Sequence, residues 1–123
     1  MTFWAGRGSD NKHPAFLRGN EMKEKIVSLE EAAAAVQDGI LLGLTTSALD
    51  NAPMAFLREI LRQGVKGLRL ATLPGGGINV DLLLGAGAVA EYETCYCTFG
   101  PFGPAPNFQR AIRMRRLKMK DST

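Results

Sequence analysis

The sequence is poor in the side chains from which self-contained catalytic centres are usually built. Its 123 residues include one histidine and two cysteines. A zinc site needs about four ligands, and His13 lies in a polar N-terminal stretch far from Cys95 and Cys97. A serine nucleophile is equally unsupported, because no second histidine could act as its base. We therefore expect no metal site and no catalytic residue within this chain.

Long apolar runs are also missing. A membrane-spanning helix needs roughly 18 or more consecutive apolar residues, and no stretch approaches that length. The first 20 residues lack the apolar core and small-residue cleavage site of a secretory signal. We expect a cytoplasmic protein that has no membrane contact and binds no resident cofactor.

The two cysteines stand two residues apart, where a β-strand places both side chains on the same face. That geometry suits a disulfide poorly. We interpret Cys95 and Cys97 as small buried apolar residues.

Positive charge is concentrated at the C-terminal end. Residues 110–123 hold six basic residues and one acidic residue, whereas the rest of the chain has nine basic and eleven acidic residues. A nucleic-acid surface would have its basic groups spread over a folded face with aromatic residues between them, but no aromatic residue follows Phe108. We expect a solvated basic segment and no nucleic-acid partner.

From about residue 22 the pattern predicts alternating helices and strands, whereas residues 1–21 have no periodicity and are predicted to be a disordered extension. Ser28 and Glu31 form the sequence signature of a capping box that opens the first helix. The further predicted elements are a strand at Ile40–Leu44, a helix bounded by Pro53 and Gly64 and packed by Met54, Leu57, Ile60 and Leu61, a strand at Leu68–Leu73, a short helix at Asp81–Leu84, β structure within Val89–Thr98, a helix capped by Asn107 that ends near Arg113, and a strand beginning at Leu117–Met119.

This order predicts an α/β fold, an open, mostly parallel sheet with helices on both faces, in which Ile40–Leu44 and Leu68–Leu73 are parallel neighbours. Ligands of such sheets bind outside the carboxyl ends of the strands. Two loops follow strands at that edge, Thr45–Asn51 and Pro74–Gly77.

Each loop has a functional and a structural interpretation. The hydroxyls of Thr45, Thr46 and Ser47 could donate to an oxyanion, or they could only cap and turn the loop. The backbone of Gly75, Gly76 and Gly77 could approach a phosphate, or the glycines could only make a tight turn. Neither a dinucleotide fingerprint nor a P-loop is completed around them.

Three acidic residues near these loops have structural interpretations. Asp81 is expected to stabilise the end of its own helix rather than act as a base. Glu91 and Glu93 alternate with Tyr92 on a strand and are interpreted as part of a solvated face.

From Lys23 to about Ser122 the chain resembles the α subunits of class I coenzyme A transferases. No single motif carries the resemblance; it rests on the order and spacing of several segments. These are 27–32, 38–39, 53–64, 68–73, 75–76, 80–83, 85–87, 95–96, 107–111 and 117–119.

The resemblance implies that residues 22–123 are the N-terminal part of a coenzyme A transferase α-subunit domain. Enzymes of this family move coenzyme A between an acyl-coenzyme A thioester and a carboxylic acid. The attacking glutamate belongs to a β subunit, so a hetero-oligomer is implied. The α part supplies walls and an oxyanion loop with a Gly-Gly-Phe pattern, which falls here on Thr45-Thr46-Ser47 and is not kept.

Two further expectations accompany the resemblance. Family α subunits continue well past this length, so the chain is expected to be truncated at its C-terminus and its sheet incomplete. Relatives of the same fold with altered motifs are hydrolases that open rings in coenzyme A thioesters. A transferase subunit, such a hydrolase subunit and a non-catalytic binding domain all remain open at this point.

Overall fold

The computed structural model describes residues 26–46, 48–94 and 96–121. Over that range helices and strands alternate, as the sequence pattern predicts. In chain order they are α1 (Leu29–Ala34), β1 (Leu41–Thr46), α2 (Met54–Arg62), β2 (Leu68–Pro74), α3 (Ile78–Gly85), β3 (Val89–Thr94), a short 3-10 helix (Gly100–Phe102), α4 (Pro106–Arg113) and β4 (Lys118–Asp121). The predicted disordered extension, residues 1–21, lies outside the described residues.

Local signals explain where the first helix begins. In α1 the Ser28 hydroxyl accepts a hydrogen bond from the Glu31 amide at 3.1 Å, and the Ser28 amide donates to the Glu31 carboxylate at 3.3 Å. This reciprocal pair is the predicted capping box. It satisfies two amides that the first turn of the helix would otherwise leave without partners.

The predicted bounds of α2 are also confirmed. Pro53 precedes its first residue, and Gly64 follows its C-terminal cap with φ +79°. The Gly64 amide donates to the Leu61 carbonyl at 3.0 Å and the Val65 amide donates to the Ile60 carbonyl at 3.4 Å. This pair of bonds is a Schellman motif, which favours glycine at the left-handed position.

Two predicted helix starts were wrong. Helix α3 begins at Ile78, three residues before the predicted Asp81, because the helix forms directly from the glycine loop. Helix α4 begins at Pro106 with Ala105 at the cap position, so Asn107 lies in its first turn and is not the cap. Proline at the first position of α4 costs no hydrogen bond there.

The four strands form one parallel sheet in the order β1-β2-β3-β4. The predicted parallel pairing of the first two strands is confirmed, with Leu42 opposite Leu70 and Thr46 opposite Pro74. All four carboxyl ends therefore lie at the same edge of the sheet. No helix of the described residues is both long enough and apolar enough to cross a membrane.

The described helices cover one face of this sheet. Right-handed crossovers between strands in sequential order place every connecting helix on the same side. The burial pattern agrees, since Leu68, Leu70 and Thr72 of β2 are buried while Arg69 and Leu73 between them are exposed. The α/β class and the parallel sheet are confirmed, but the helices predicted for the second face are not found among the described residues.

The core lies between the sheet and its helices. Its largest fully buried side chains are Tyr92, Leu57, Ile60, Leu68, Leu70, Leu83 and Val80. Tyr92 of β3 meets Phe108 of α4 edge to face, with ring centroids 6.0 Å apart, an arrangement that aromatic pairs favour. Tyr92 therefore links the strand that ends nearest the candidate site to the last helix.

Candidate functional site

The two predicted loops meet at the carboxyl edge of the sheet. Thr45 lies opposite Leu73 and Thr46 lies opposite Pro74, so the end of β1 is hydrogen-bonded to the strand that leads into the glycine loop. Thr45 and Thr46 are the last two residues of β1 rather than loop residues, because the strand continues past the predicted Leu44. The Thr45 side chain is exposed. Ser47 and the side chain of Thr46 lie outside the described residues.

The glycine loop is buried and holds the edge together. The Gly76 amide donates to the Tyr96 carbonyl at 2.8 Å, and the Gly77 amide donates to Oδ1 of Asn79 at 3.2 Å. The Ile78 amide donates to the Ala48 carbonyl at 2.9 Å. These three amides are engaged inside the chain, so in this conformation none of them is available to a ligand phosphate.

Close approach explains why glycines stand here. A Cβ on Gly77 would overlap the carbonyl oxygen of Ala48, and one on Gly75 would overlap the ring of Tyr96. A Cβ on Gly76 would overlap the Tyr92 hydroxyl. The loops after β1, β2 and β3 are thus packed backbone to backbone and backbone to ring, with the glycine loop in the middle.

A chain of buried hydroxyls lies beneath this edge and was not predicted. The Tyr92 hydroxyl and Thr72 Oγ1 are 2.8 Å apart, and Thr72 Oγ1 donates to Thr94 Oγ1 at 3.1 Å. Thr94 Oγ1 donates in turn to the Tyr96 carbonyl at 2.8 Å, and it accepts from the Tyr96 amide at 3.2 Å. The chain thereby fixes the backbone of Tyr96, which also receives the Gly76 amide.

The sequence contained a signal for this chain. Thr72 falls on the buried face of β2, and Tyr92 and Thr94 fall on the buried face of β3 by strand alternation. Buried hydroxyls need hydrogen-bond partners, so three of them on adjacent strands imply a shared network. Strand order, which the sequence pattern leaves open, was needed to see that the two strands are neighbours.

Cys97 is a buried free thiol at the same edge. Burial, together with the negative charge of Asp81, raises the pKa of the Cys97 thiol to about 12. The thiolate is the nucleophilic form of cysteine, so this thiol is not a nucleophile at neutral pH. The interpretation of Cys97 as a small buried apolar residue agrees with this burial, and Cys95 lies outside the described residues.

Asp81 performs a structural role, although not the one predicted for it. Its Oδ1 accepts from the Phe108 amide at 2.9 Å, and its Oδ2 accepts from Nδ2 of Asn107 at 2.9 Å. The carboxylate therefore caps the N-terminus of α4, whose own cap residue, Ala105, has no side chain that could do so. The expectation that Asp81 serves the end of its own helix was wrong in the identity of the helix.

The glutamates of the sheet and of α2 are held by cations. Arg62 pairs with Glu59 at 2.6 Å within α2. Glu91 of β3 is approached by Lys120 at 2.7 Å, Lys118 at 3.0 Å and Arg69 at 3.6 Å. Hydrogen bonds from the two lysines lower the pKa of Glu91 from 4.5 to about 2. Glu91 is thus the centre of an ion cluster on the open face, which its interpretation as a simple solvated residue did not foresee.

The carboxyl edge offers surfaces but no glutamate. The loops after β1, β2 and β3 contain one acidic residue, Asp50. Among the described residues no three potential metal ligands are grouped. A groove of about 400 Å³ opens beside the ends of β3 and β4, lined by Thr94, Tyr96, Cys97, Phe108, Gln109, Met119 and Lys120.

Large apolar side chains are exposed around the same edge. Phe102 is 78% exposed and Leu73 is 72% exposed, and both Leu49 and Tyr96 are also open to solvent. They stand in or beside the loops that follow β1, β2 and β3. Apolar groups gathered at one edge favour contact with another protein surface. The edge can therefore supply a wall and a docking surface, but its described residues include no activated nucleophile.

The chain is similar to known proteins, although no protein-family model matches it. It is 32% identical over 99 residues to the α-type subunit of glutaconate CoA-transferase from Acidaminococcus fermentans, an alignment of 79% of this chain and 31% of that protein. It is 37% identical over 68 residues to the cholesterol ring-cleaving hydrolase IpdA subunit of Mycobacterium tuberculosis, which covers 55% of this chain and 23% of the relative. An uncharacterised protein of Archaeoglobus fulgidus is 34% identical over 83% of this chain and 23% of its own length.

Solved structures give the same picture. The decarboxylase AibA/AibB superposes with a TM-score of 0.70 at 29% identity, over 79% of this chain and 38% of that one. The glutaconate coenzyme A-transferase of Acidaminococcus fermentans superposes with a TM-score of 0.67 at 31% identity, over 79% of this chain and 31% of that one. This chain therefore spans between about a quarter and two fifths of the relatives that it matches.

Proposed function

We propose a function from the premise that this chain is a homologue of the α subunits of class I coenzyme A transferases. In this proposal it is the part of an α subunit that forms one wall of an active site. The enzyme moves coenzyme A from an acyl-coenzyme A to a carboxylic acid, and a β subunit contributes the glutamate that attacks the thioester. The chain alone is inactive.

The observation that carries the proposal is the lack of a suitable nucleophile at the carboxyl edge. Attack on a thioester needs an accessible, ionised group. Cys97 is buried with a pKa raised to about 12, and the loops after β1, β2 and β3 hold no glutamate. Glu59 and Glu91 are each paired with basic side chains away from these loops. These features support a partner as the source of the glutamate.

The residues of this chain would bind and orient the substrate rather than react with it. Thr45 presents an exposed hydroxyl at the edge, and with Thr46 and Ser47 it is our candidate donor to the thioester oxyanion. The buried hydroxyl chain and the glycine loop Gly75–Gly77 hold the edge rigid beneath them. Rigid support of donors is what electrostatic stabilisation of a transition state requires.

A second function is favoured by one comparison. The similarity to the IpdA subunit is the higher in identity, at 37%, although it covers 55% of this chain. The chain would then be part of a hydrolase that opens a ring in a coenzyme A thioester. A non-catalytic binding domain is the third alternative, since the Gly-Gly-Phe pattern of the family is missing at Thr45-Thr46-Ser47.

The products of one assay distinguish these functions. The chain is mixed with a coenzyme A transferase β subunit, and isotopically labelled acetate is supplied with glutaconyl-coenzyme A. Labelled acetyl-coenzyme A is expected for the transferase. Ring opening of a cyclic-ketone coenzyme A thioester, without any exchange of label, would favour the hydrolase. A stable complex that does neither would favour the binding domain.

Docking through the carboxyl edge is tested by a matched pair of substitutions. Phe102→Ser removes the most exposed large apolar side chain of the edge, and we expect at least tenfold weaker binding of the β subunit. Ile112→Ser removes an apolar side chain of α4 that is 38% exposed, and we expect unchanged binding. Equal effects of the two substitutions would place the interface elsewhere.

A further inference from the structure

A second groove lies at the opposite end of the sheet from the site above. It is formed by the last turn of α3, the beginning of β3 and the second half of α4, and it encloses about 330 Å³. Its lining residues are Leu84, Gly85, Gly87, Val89, Asn107, Arg110, Ala111, Met114 and Arg116. Because α3 ends and β3 begins here, this groove is at the amino edge of the sheet.

The lining combines apolar walls with positive charge of one sign. Leu84, Val89, Ala111 and Met114 supply the apolar surface, and Arg110 and Arg116 supply two guanidinium groups. No acidic residue lines the groove. An interior of this kind attracts a molecule that has an anionic group on an apolar body.

The two arginines stand apart from the other paired cations. Arg62, Arg69, Lys118 and Lys120 each contact a carboxylate, whereas no ion pair of Arg110 or Arg116 is found in the part of the chain that the structure describes. Guanidinium groups favour carboxylate and phosphate oxygens, with which they can form paired charge-assisted hydrogen bonds. The groove thus has two donors of this kind without a protein acceptor.

The negative groups nearest to the groove are already satisfied. The Asp81 carboxylate behind Asn107 receives the Asn107 side chain and the Phe108 amide. The carbonyls at the end of α3 receive the amides of residues 86–88, with Ala86, Gly87 and Ala88 donating to Leu82, Leu84 and Leu83 at 3.0 Å. They therefore do not take up the two arginines.

We propose that this groove binds a small organic anion, a carboxylate or phosphate ester with a short apolar body, through Arg110 and Arg116. Its volume lies at the lower end of ligand pockets, which suits a molecule on the order of ten non-hydrogen atoms. The apolar body packs against Leu84, Val89 and Met114 while the anionic group lies between the arginines. The site is separate from the carboxyl edge and does not depend on the function proposed there.

The test is a titration of the whole chain followed by amide chemical shifts in nuclear magnetic resonance. Sodium hexanoate and hexyl phosphate are the probes, and hexylamine has the same body with the opposite charge. We expect either anion to shift the amides of Gly85, Gly87 and Ala111. Hexylamine should leave them unchanged. Binding of one anion only would tell whether carboxylate or phosphate is preferred, and either result supports the proposal.

Substitutions separate binding from a merely structural role of the arginines. Arg110→Gln with Arg116→Gln should weaken the dissociation constant at least tenfold, because charge-assisted hydrogen bonds are lost. Arg113→Gln on the same helix, outside this groove, is the control and should bind as the wild type does. If the double variant melts early, Arg116→Gln alone is used. Unchanged affinity in the folded variant, equal shifts with hexylamine, or no shifts at all would overturn the proposal.

Discussion

At the scale of single residues, the candidate site depends on the smallest side chains. The sequence predicted the run Gly75–Gly77 as a turn beside the ligand edge, and the structure places it there. It could not predict the partners, because Tyr92, Tyr96 and Ala48 reach the glycines only through strand order and loop path. Residue type was therefore informative about close approach, and silent about what approaches.

Gly77 gives a direct test of that packing. Gly77→Ala places a methyl group into the Ala48 carbonyl, which belongs to the backbone and cannot move aside cheaply. We expect a loss of about 2 kcal/mol or more in the free energy of unfolding, measured by denaturant titration. Gly43→Ala is the control, since a Cβ there has no atom within 4 Å, and a change of more than about 0.5 kcal/mol there would exceed what an open site allows.

Glu91 gives a prediction about pH. Its pKa is lowered from 4.5 to about 2 in the folded chain, so its ion cluster stabilises the fold above pH 4.5 and this contribution is lost as the pH falls through 4.5 towards 2. The free energy of unfolding of the wild type should therefore fall more steeply over that range than that of Glu91→Gln. Parallel pH profiles for the two proteins would contradict the cluster.

The same cluster predicts coupling between its members. Lys120→Gln should destabilise the wild type more than it destabilises Glu91→Gln, because the 2.7 Å contact exists in the first background alone. A double-mutant cycle measures that difference. Equal effects in both backgrounds would mean that the ion pair does not contribute to stability.

At the scale of secondary-structure elements, three helices end in the same way. Gly64 follows α2, Gly87 follows α3 and Arg115 follows α4, each with positive φ. The Arg115 amide donates to the Ile112 carbonyl and the Arg116 amide to the Ala111 carbonyl, both at 3.0 Å, which repeats the Schellman pattern of α2. Glycine marked the first two ends in the sequence, and the third was hidden because an arginine occupies its left-handed position.

That exception predicts a stabilising substitution. Arg115 has φ +51°, a conformation that costs a residue with a Cβ more than it costs glycine. Arg115→Gly should therefore raise the free energy of unfolding by about 0.5–1 kcal/mol. Arg113→Gly lies inside α4 and should lower it by a similar amount. A destabilising effect at position 115 would contradict the assigned helix end.

Helix α2 was the best predicted element because both its ends and its buried face have local signals. Leu57 is fully buried, as its helical spacing with Ile60 predicted. Leu57→Ala should cost about 2–5 kcal/mol in the free energy of unfolding, whereas exposed Arg58→Ala should stay within about 0.5 kcal/mol. A small effect at Leu57 would place it outside the core. The start of α4, by contrast, was not predictable locally, because its cap comes from Asp81 of another helix.

At the scale of the whole molecule, the sequence predicted a parallel α/β sheet and a ligand edge, and it did not predict which faces are covered. Sequential strand order places the described helices on one side, and order is fixed by packing over long distances rather than by local pattern. The buried hydroxyl chain across β2 and β3 is a consequence of the same order. The anion groove likewise arises where α3 and α4 are brought together.

The central claim is that this chain forms a wall of a coenzyme A transferase site and lacks the attacking carboxylate. The most direct measurement is the exchange of label between acetate and an acyl-coenzyme A, catalysed by the purified chain with and without a β subunit. We predict no exchange by the chain alone and exchange that depends on the partner. Exchange by the chain alone, abolished when one of its own glutamates is replaced by glutamine, would contradict the account.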